Sequence, residues 1–421
     1  MDKRTFLKSL GLLGLAAVPS AYGLEKWIDL HSHIPPKTLA GDEDFWSEIR
    51  AGYRLKPDYI NLENGFYCMQ PEYILEAFIK NIREVNYEAS FYMRGVQHER
   101  KRENVERLAK LVDCNPDELT ITRNTTESLD LIIGGFPWKE GDEAIMAEQD
   151  YGAMLNMFKQ VAKRHGVVNR ILSVPNHPSS DEEIVKLYED AITDKTKLIM
   201  VCHMINISGQ ILPVRKICDM AHKRGVQVMV DGAHAVAHFT FSLEELDCDY
   251  YGASLHKWLS VPLGAGLLYV KKKHIPNIWP LIASGNVDEE NIMRLNHMGT
   301  HPVHTEITVS DAIDYYYTIG PKRKEERLRY LQRYWTDQVR GKTGIILNTP
   351  EDPERSCGIA NVGIEGINPK DLAKILMDKY RIFTVGIGGQ NVLGCRITPN
   401  VYTSLEELDA LVEALMELAN G

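Results

Sequence analysis

Two polar residues, each close to an apolar segment, form the most informative pattern in the sequence. The segment VQVMVDGAHAVAHF (226–239) predicts a buried strand that stops at Asp231. The following segment, DYYGASLHKWLSVPLGAG (249–266), places Lys257 ahead of a glycine-bearing loop. A lysine amine can form a Schiff base, and a carboxylate can keep a pyridine nitrogen protonated. Although either residue alone is more often a turn residue or a surface charge, the pair is the minimum equipment for pyridoxal phosphate (PLP) chemistry.

A turn of hydroxyl residues farther upstream is suited to binding a phosphate group. The segment DELTITRNTTESLDLII (117–133) predicts a short strand, a polar turn that includes Thr125 and Thr126, and a helix that begins near Glu127. Such a turn offers backbone N–H groups, hydroxyl groups and the positive end of the helix dipole. Taken alone, it is more commonly a simple threonine N-cap.

Two more predicted strands end in polar or aromatic residues. Strand Ala144–Ala147 leads to Tyr151, whose ring could stack on a flat cofactor, although an aromatic residue at a strand end more often fills the core. The strand within 197–209 ends near His203 and Asn206. Because open α/β sheets bind ligands at the carboxyl ends of their strands, these segments together predict one binding site.

The sequence resembles the class V aminotransferases of the fold-type I PLP enzymes, and is nearest to their isopenicillin N epimerase-like and cysteine desulfurase-like branches. The resemblance extends from about Ile60 (INLENGFY) to Tyr402 (CRITPNVYTS). It implies that Lys257 carries the Schiff base and that Asp231 pairs with the pyridine nitrogen. It also implies four residues that hold the cofactor phosphate: Thr125, Thr126, Ser254 and His256.

The remaining implied roles concern the cofactor ring, the substrate and a partner subunit. Tyr151 occupies the position of the ring-stacking residue, and Asn206 and His234 match positions on the phenolate side of the cofactor. Arg396 matches the arginine that binds the substrate α-carboxylate, through a planar donor pair that lysine lacks. Thr300 would reach the phosphate bound by the other subunit of a homodimer with shared active sites.

The pattern of residues favours aminotransferase-type chemistry on an amino acid or small peptide and leaves two alternatives open. Transamination and β-elimination each need one base, which Lys257 can supply. Epimerisation also needs proton delivery to the opposite face, where the expected residue is Tyr151, a stacked ring that is poorly placed as a base. Desulfurases carry a nucleophilic cysteine in the loop that corresponds to residues 384–394, and this segment has none; Cys395 directly precedes Arg396. A desulfurase is therefore disfavoured.

A short histidine motif supports a remote alternative, a metal-dependent hydrolase. The segment IDLHSHIPP (28–36) places His31 and His33 two residues apart after an aspartate. Such a site needs further ligands at later strand ends, for which His203 and His234 are candidates. The barrel pattern that would position them is missing, so a site without metal is expected.

The length of the chain indicates how many domains it forms, and its net charge indicates which partners it can bind. A chain of 421 residues predicts two domains, and a net charge of −10 makes nucleic-acid binding unfavourable. The predicted α/β organisation consists of an N-terminal arm (24–70), a PLP-binding large domain (71–305) with a mostly parallel sheet covered on both faces, and a connecting helix with a small α+β domain (306–421). The connecting helix is expected near 306–340.

The N-terminus predicts export. Residues 1–23 combine a basic start, a short apolar stretch and small residues, as in a signal peptide, and the apolar stretch is too short for a stable membrane span. The segment KRTFLK resembles a twin-arginine signal with Lys3 in place of the first arginine. We therefore expect a periplasmic bacterial protein. The seven cysteines, an odd number without a C-x-x-C pair, are expected to be buried thiols.

Overall fold

The computed structural model describes residues 21–283, 285 and 287–421. The predicted signal peptide (1–23) lies outside these residues, apart from its last three positions, where helix α1 (Ala21–Leu30) begins. Among the described residues, no helix combines the length and the hydropathy needed to cross a membrane.

The predicted N-terminal arm is largely helical and reaches the C-terminal part of the chain. Helices α2 (Pro36–Leu39) and α3 (Glu43–Arg50) follow α1 and lead to a two-residue strand, β1 (Ile60–Asn61). Strand β1 pairs in parallel with Ile382–Phe383, more than 300 residues later. The arm therefore packs against the C-terminal part of the chain through this strand pairing.

A seven-stranded sheet forms the centre of the large domain. Its strands are β2 (Leu119–Thr122), β3 (Glu143–Ala147), β4 (Val168–Leu172), β5 (Thr196–Cys202), β6 (Gln227–Asp231), β7 (Tyr250–Ser254) and β8 (Gly266–Val270). Their order in the sheet is β2-β8-β7-β6-β5-β3-β4. Strand β8 is antiparallel to both of its neighbours, whereas the other pairs are parallel. The predicted mostly parallel sheet is confirmed.

Helices and apolar side chains cover both faces of this sheet. Along β5, Leu198 and Met200 belong to one apolar cluster, and Ile199 and Val201 belong to another. Because successive strand residues point to opposite faces, both faces are buried, as expected for a parallel sheet. The helices of this domain are α4 (Glu72–Glu88), α5 (Gln97–Val112), α6 (Thr125–Gly135), α7 (Gly152–His165), α8 (Asp181–Ala191), α9 (Val214–Lys223) and α10 (Leu243–Leu246). Shorter helical turns cover Tyr92–Val96, Pro116–Glu118, Lys272–Asn277, Ile292–Leu295 and Pro353–Arg355.

Two helices, rather than the single helix predicted near 306–340, connect the domains. They are α11 (Val303–Ile319) and α12 (Pro321–Val339). Gly320, with φ of 95°, separates them in a conformation that favours glycine. Pro321 has no backbone N–H and is favoured in the first turn of the new helix. The sequence Gly-Pro therefore ends one helix and starts the next.

The small domain contains a four-stranded antiparallel sheet. Its elements are β9 (Ile345–Leu347), β10 (Ala360–Ile364), α13 (Pro369–Tyr380), β11 (Ile382–Phe383), β12 (Val385–Gly389), β13 (Val392–Ile397) and α14 (Leu405–Asn420). The sheet order is β12-β13-β10-β9, and β11 pairs instead with β1. The segment 384–394, which was expected to be a loop, is mostly a β-hairpin. Its turn residues, Gln390 and Asn391, have φ of 51° and 57°.

Arg327 on α12 ties the arm to the C-terminal segment. Its side chain is 1% exposed and donates to the carbonyl oxygens of Ala40 and Thr403, both at 3.0 Å. It also forms an ion pair with Glu43 on α3. A buried guanidinium needs such partners, because an ionised group removed from water without them is strongly destabilising.

We predict that Arg327→Met lowers the free energy of unfolding by about 2–3 kcal/mol, since it leaves the carbonyl oxygens of the buried residues Ala40 and Thr403 without their donor while preserving apolar volume. The ion pair contributes less, because the Glu43 side chain is 36% exposed. The matched control is Arg333→Met on the same helix, where an exposed pair with Asp337 should contribute at most about 0.5 kcal/mol. Urea-induced unfolding of the two variants measures the difference. Equal losses from both substitutions would contradict the proposed anchoring role.

Candidate active site

A cavity of about 210 Å³ lies where the predicted site residues meet. Strands β3, β5, β6 and β7 run in the same direction, so their carboxyl ends face one edge of the sheet. All predicted site residues except Thr300 line the cavity: Thr125, Thr126, Tyr151, Asn206, Asp231, His234, Ser254, His256, Lys257 and Arg396. The other lining residues are Gly65, Phe66, Asn124, Cys202, Met204 and Ala233.

Asp231 and Lys257 supply opposite charges to this cavity. Asp231 ends β6, is 5% exposed, and accepts a hydrogen bond from the Ala233 N–H at 3.0 Å. Burial raises the pKa of Asp231, while the Ala233 N–H and Lys257 counteract that shift. Burial lowers the pKa of Lys257 to about 8; the carboxylate of Asp231 opposes this shift and the guanidinium of Arg396 adds to it. A neutral amine is therefore accessible near physiological pH.

His234 contacts the amine of Lys257 in a defined protonation state. Its Nε2 lies 3.0 Å from Lys257 Nζ, and its Nδ1 accepts a hydrogen bond from the indole N–H of Trp258 at 3.4 Å. Because an indole can only donate, the proton of the neutral imidazole is assigned to Nε2. Burial, with the nearby positive charges of Lys257 and Arg396, keeps the pKa of His234 well below its usual value. His234 thus presents an N–H donor to the cavity.

Hydroxyl groups gather at the N-terminus of α6. The Ser254 hydroxyl accepts a hydrogen bond from the Thr125 backbone N–H at 2.9 Å and lies 2.7 Å from the Thr125 hydroxyl. Asn124 caps the helix by accepting from the Glu127 N–H at 2.9 Å. His256 adds a buried Nδ1 that has no hydrogen-bond partner among the described residues. Burial lowers the pKa of His256 to about 4.

These features fit PLP. The helix N-terminus, the hydroxyls of Thr125 and Ser254 and the unpartnered nitrogen of His256 suit a phosphate group. The carboxylate of Asp231 suits a pyridinium nitrogen, and the amine of Lys257 suits a carbonyl carbon. An N–H donor at His234 suits a phenolate oxygen. The cavity can therefore hold each polar part of the cofactor.

Tyr151 and Thr300 occupy different surroundings. Tyr151 precedes α7, lines the cavity and is 45% exposed, so its ring is accessible from solvent. Thr300 precedes α11 and lines a separate cavity together with Arg94 and Gln97. Within one chain, Thr300 therefore takes no part in the cavity around Lys257, and its predicted role requires a second subunit.

Sequence reasoning missed Glu63, which pairs with Arg396. The Arg396 Nε–H donates to Glu63 Oε2 at 3.2 Å, and Nη2 forms a second bond with Oε1. The third nitrogen, Nη1, donates to the Asn206 carbonyl oxygen at 3.2 Å. An acidic residue in the segment INLENGFY was visible, but nothing local indicated its partner.

Asp150, next to Tyr151, is a second residue that sequence reasoning missed. It is 4% exposed, and its carboxylate accepts from the Ala147 N–H at 2.8 Å and from the Cys202 thiol at 3.2 Å. Burial raises the pKa of Asp150 to about 7, and the charge of Asp231 acts in the same direction. The wall of the cavity near Cys202 therefore contains a carboxyl group that titrates near neutral pH.

The histidines of the metal-hydrolase alternative make local contacts instead. His31 Nδ1 lies 2.8 Å from the Trp27 carbonyl oxygen, and His203 Nδ1 lies 3.0 Å from the Tyr251 hydroxyl. Across the part of the chain that the structure describes, no group of three His, Cys, Asp or Glu side chains is arranged to hold a metal ion.

We predict that Asp150→Asn increases the free energy of unfolding, relative to the wild type, more at pH 8 than at pH 5. Burial in the folded state raises the pKa of Asp150 to about 7, above its value in the unfolded chain. The contribution of this group to the stability of the wild type is therefore present at low pH and is lost as the pH rises towards 7. The stability difference between variant and wild type should grow by roughly 2–3 kcal/mol over this interval. Urea unfolding at both pH values tests this, with the exposed Asp190→Asn as control. A pH-independent difference for Asp150→Asn would contradict the assignment.

Comparison with known proteins agrees with the geometry. Residues 69–411 match the family described as aminotransferase class-V. The chain is 26% identical over 387 residues to an isopenicillin N epimerase from Streptomyces clavuligerus, covering 88% of this chain and 97% of that protein. It is also 26% identical over 384 residues to a cysteine desulfurase from Haloferax volcanii, covering 85% and 88% of the two chains.

A solved structure supports the fold. The apo cysteine desulfurase from Thermococcus onnurineus NA1 superposes with a TM-score of 0.78 at 21% identity, covering 89% of this chain and 98% of that one. The predicted fold-type I architecture is thereby confirmed. With a family match over most of the sequence and a cavity that fits the cofactor, the chain belongs to the class V aminotransferase family of PLP-dependent enzymes.

Proposed function

We propose that this enzyme performs aminotransferase-type chemistry on the amine of an amino acid or small peptide. The observation that carries the proposal is the Lys257 amine, whose pKa is lowered to about 8 inside a cavity that also contains the carboxylate of Asp231. Such an amine can accept a proton near neutral pH and return it to a neighbouring atom.

Each polar side chain has a distinct task in this chemistry. PLP, when bound, supplies the electron sink that makes the substrate Cα–H acidic. Lys257 would accept the Cα proton and return it to the neighbouring carbon, and the carboxylate of Asp231 would hold the ring nitrogen in its protonated form. His234 donates its Nε2 proton towards the reacting end of the cavity, and Arg396 orients the substrate through its N–H groups.

Epimerisation is the second candidate, because the isopenicillin N epimerase relative aligns over nearly its whole length. This reaction needs a proton donor on the face opposite Lys257. Tyr151 is the candidate for that position, and its exposure to solvent offers a route for proton exchange. We favour transamination because the one-base reaction requires nothing beyond Lys257.

A desulfurase-type nucleophile finds little support among the described cysteines. Cys202 lines the cavity, but burial raises its pKa well above the usual value, with Asp150 and Asp231 acting in the same direction. Cys395 contacts the Pro369 carbonyl oxygen, and burial raises its pKa to about 12. Since the thiolate is the nucleophile, neither residue is suited to attack a substrate sulfur.

We also propose a homodimer in which Thr300 reaches the site of the partner subunit. Phe66 lines the cavity and is 72% exposed, and Leu263, in the loop after Lys257, is 62% exposed. Large apolar side chains in solvent near a binding site are typical of a protein interface. The same loop approaches the segment of Thr300, since a Cβ on Gly264 would lie 3.6 Å from Pro302.

Export to the bacterial periplasm is a further proposal, and its support is the signal-like sequence of residues 1–23. A twin-arginine route carries folded proteins, which would allow cofactor to be loaded before export. Seven cysteines without a described disulfide are compatible with folding in a reducing compartment.

We predict that the protein with PLP is yellow and that Lys257→Ala abolishes both the lysine-bound absorbance band and turnover, because no other described cavity residue supplies an amine. The test is incubation of both proteins with amino acids and short peptides in deuterated water, with 2-oxoglutarate present as the acceptor of the amino group. Carbonyl-product formation, Cα exchange and inversion are followed separately. Inversion without a carbonyl product would decide for the epimerase, and pyruvate with sulfide from cysteine would decide for a lyase. A colourless protein that gains no band with PLP would overturn the whole proposal.

Asp231→Asn should retain the cofactor but lose at least about a hundredfold in kcat, since the neutral amide no longer favours the protonated ring nitrogen. Steady-state kinetics and the absorbance spectrum measure the two effects separately. Asp249→Asn, a buried carboxylate paired with His274 at 2.8 Å outside the cavity, is the matched control and should keep its kcat. Near-wild-type turnover of Asp231→Asn would show that another group holds the ring nitrogen.

A further inference from the structure

Arg396, the residue expected to bind a substrate carboxylate, is already paired with a carboxylate of its own chain. Glu63 engages Nε and Nη2 side by side, and Asn206 engages Nη1 through its carbonyl oxygen. The side chains of Arg396 and Glu63 are 8% and 7% exposed, so solvent weakens their attraction little. Glu63 does not line the cavity itself and acts on it through Arg396.

The backbone around Glu63 fixes this pair in place. The N–H groups of Asn64 and Gly65 donate to the Thr398 hydroxyl at 2.6 and 3.0 Å. The Asn64 side chain donates to the Thr398 carbonyl oxygen at 2.8 Å. A Cβ on Gly65 would lie 2.7 Å from Arg396 Cζ, so the loop packs directly against the guanidinium. The pair is thus part of the contact between the arm and β13.

Pairing changes what Arg396 can offer to a ligand. A guanidinium has five N–H donors, and the bonds to Glu63 and Asn206 use three, which leaves two. The unused donors can bind an acceptor oxygen, but the positive charge is neutralised by Glu63. Lys257 and Asp231, the other charged side chains that line the cavity, also compensate each other.

An incoming carboxylate would therefore enter a site without net positive charge. Its desolvation costs several kcal/mol in a protein interior, and no unpaired cation offsets that cost. The anionic phosphate of the cofactor adds repulsion. A neutral carbonyl oxygen avoids most of this penalty and still accepts the two N–H groups.

We propose that Glu63 determines the substrate class: the cavity accepts a primary amine whose adjacent carboxyl group is in amide linkage, in preference to a free amino acid. Amino-acid amides and the N-terminal residues of peptides have this chemistry. The inference rests on the proposed function, because it assumes that Lys257 and PLP act on a primary amine. Glu63 is a positioning residue in this scheme, since it reaches the substrate only through Arg396.

The experiment compares free L-amino acids with their primary amides on the PLP-loaded protein. L-alanine, L-leucine and L-phenylalanine are each paired with the corresponding amide, and concentrations are counted as free amine. Apparent Kd is obtained by rapid mixing from the initial shift of the cofactor's visible absorbance band, before the bound amine is converted. We expect the wild type to bind amides at least about tenfold more tightly than acids, equivalent to about 1.4 kcal/mol.

Glu63→Gln should move the acid-to-amide ratio towards the acids by about tenfold or more, because it restores the charge of Arg396. The matched control is Glu143→Gln, which removes another buried carboxylate, paired with Arg170 at 2.8 Å on strands β3 and β4. Its ratio should equal that of the wild type. A merely structural role of Glu63 would weaken both ligand types equally.

A wild-type preference for free acids, or an unchanged ratio in Glu63→Gln, would overturn the inference. If Glu63→Gln does not fold, the ratio of the Kd values for acids and amides in the wild type tests the inference by itself, since the preference for amides is expected of the natural protein. A protein that forms no absorbance band, or whose band responds to no amine, would instead count against the proposed function.

Discussion

The need to compensate buried charge governs the arrangement of this active site. Two cations at the cavity are each opposed by a carboxylate, Lys257 by Asp231 and Arg396 by Glu63, and the buried carboxyl group of Asp150 lies beside Cys202 in the wall. His234 and His256 stay neutral because burial lowers the pKa of each. Ionised groups in a protein interior are tolerated when each has a partner, and this requirement links the sheet edge, the arm and the small domain.

The parts of the site that follow from local patterns could be predicted from the sequence. Asp231 ends a strand whose apolar composition is readable, and parallel strands place their carboxyl ends together, whereas Ser254 was identified only through the family resemblance. Thr125 begins a helix at a polar turn. Arg396 required the family resemblance, because its strand in the small domain gives no local indication of a ligand. The connecting segment was wrongly predicted as a single helix, although the sequence Gly320-Pro321 contains a signal that ends one helix and starts another.

Other features depend on contacts between distant segments. Glu63 and Arg396 are 333 residues apart, and neither neighbourhood identifies the other. The raised pKa of Asp150 depends on burial against Cys202, a packing property absent from the sequence. The segment 384–394 was predicted to be a loop, although most of it forms a β-hairpin; its turn, Gln390-Asn391, lacks the Asn-Gly signature usual for two residues of positive φ. Its tip is held by Asn391, whose side chain donates to the Val174 carbonyl oxygen and accepts a hydrogen bond from the Gln149 side chain.

The absent side chain at position 65 has a consequence for how this protein can vary. Any Cβ there meets the guanidinium carbon of Arg396 at 2.7 Å, closer than real contacts allow. A residue other than glycine would force the arginine away from Glu63, and the acid would then lie buried and unpaired. A substitution at position 63, 65 or 396 therefore disturbs the contacts of the other two, and we expect the three residues to vary together among related proteins.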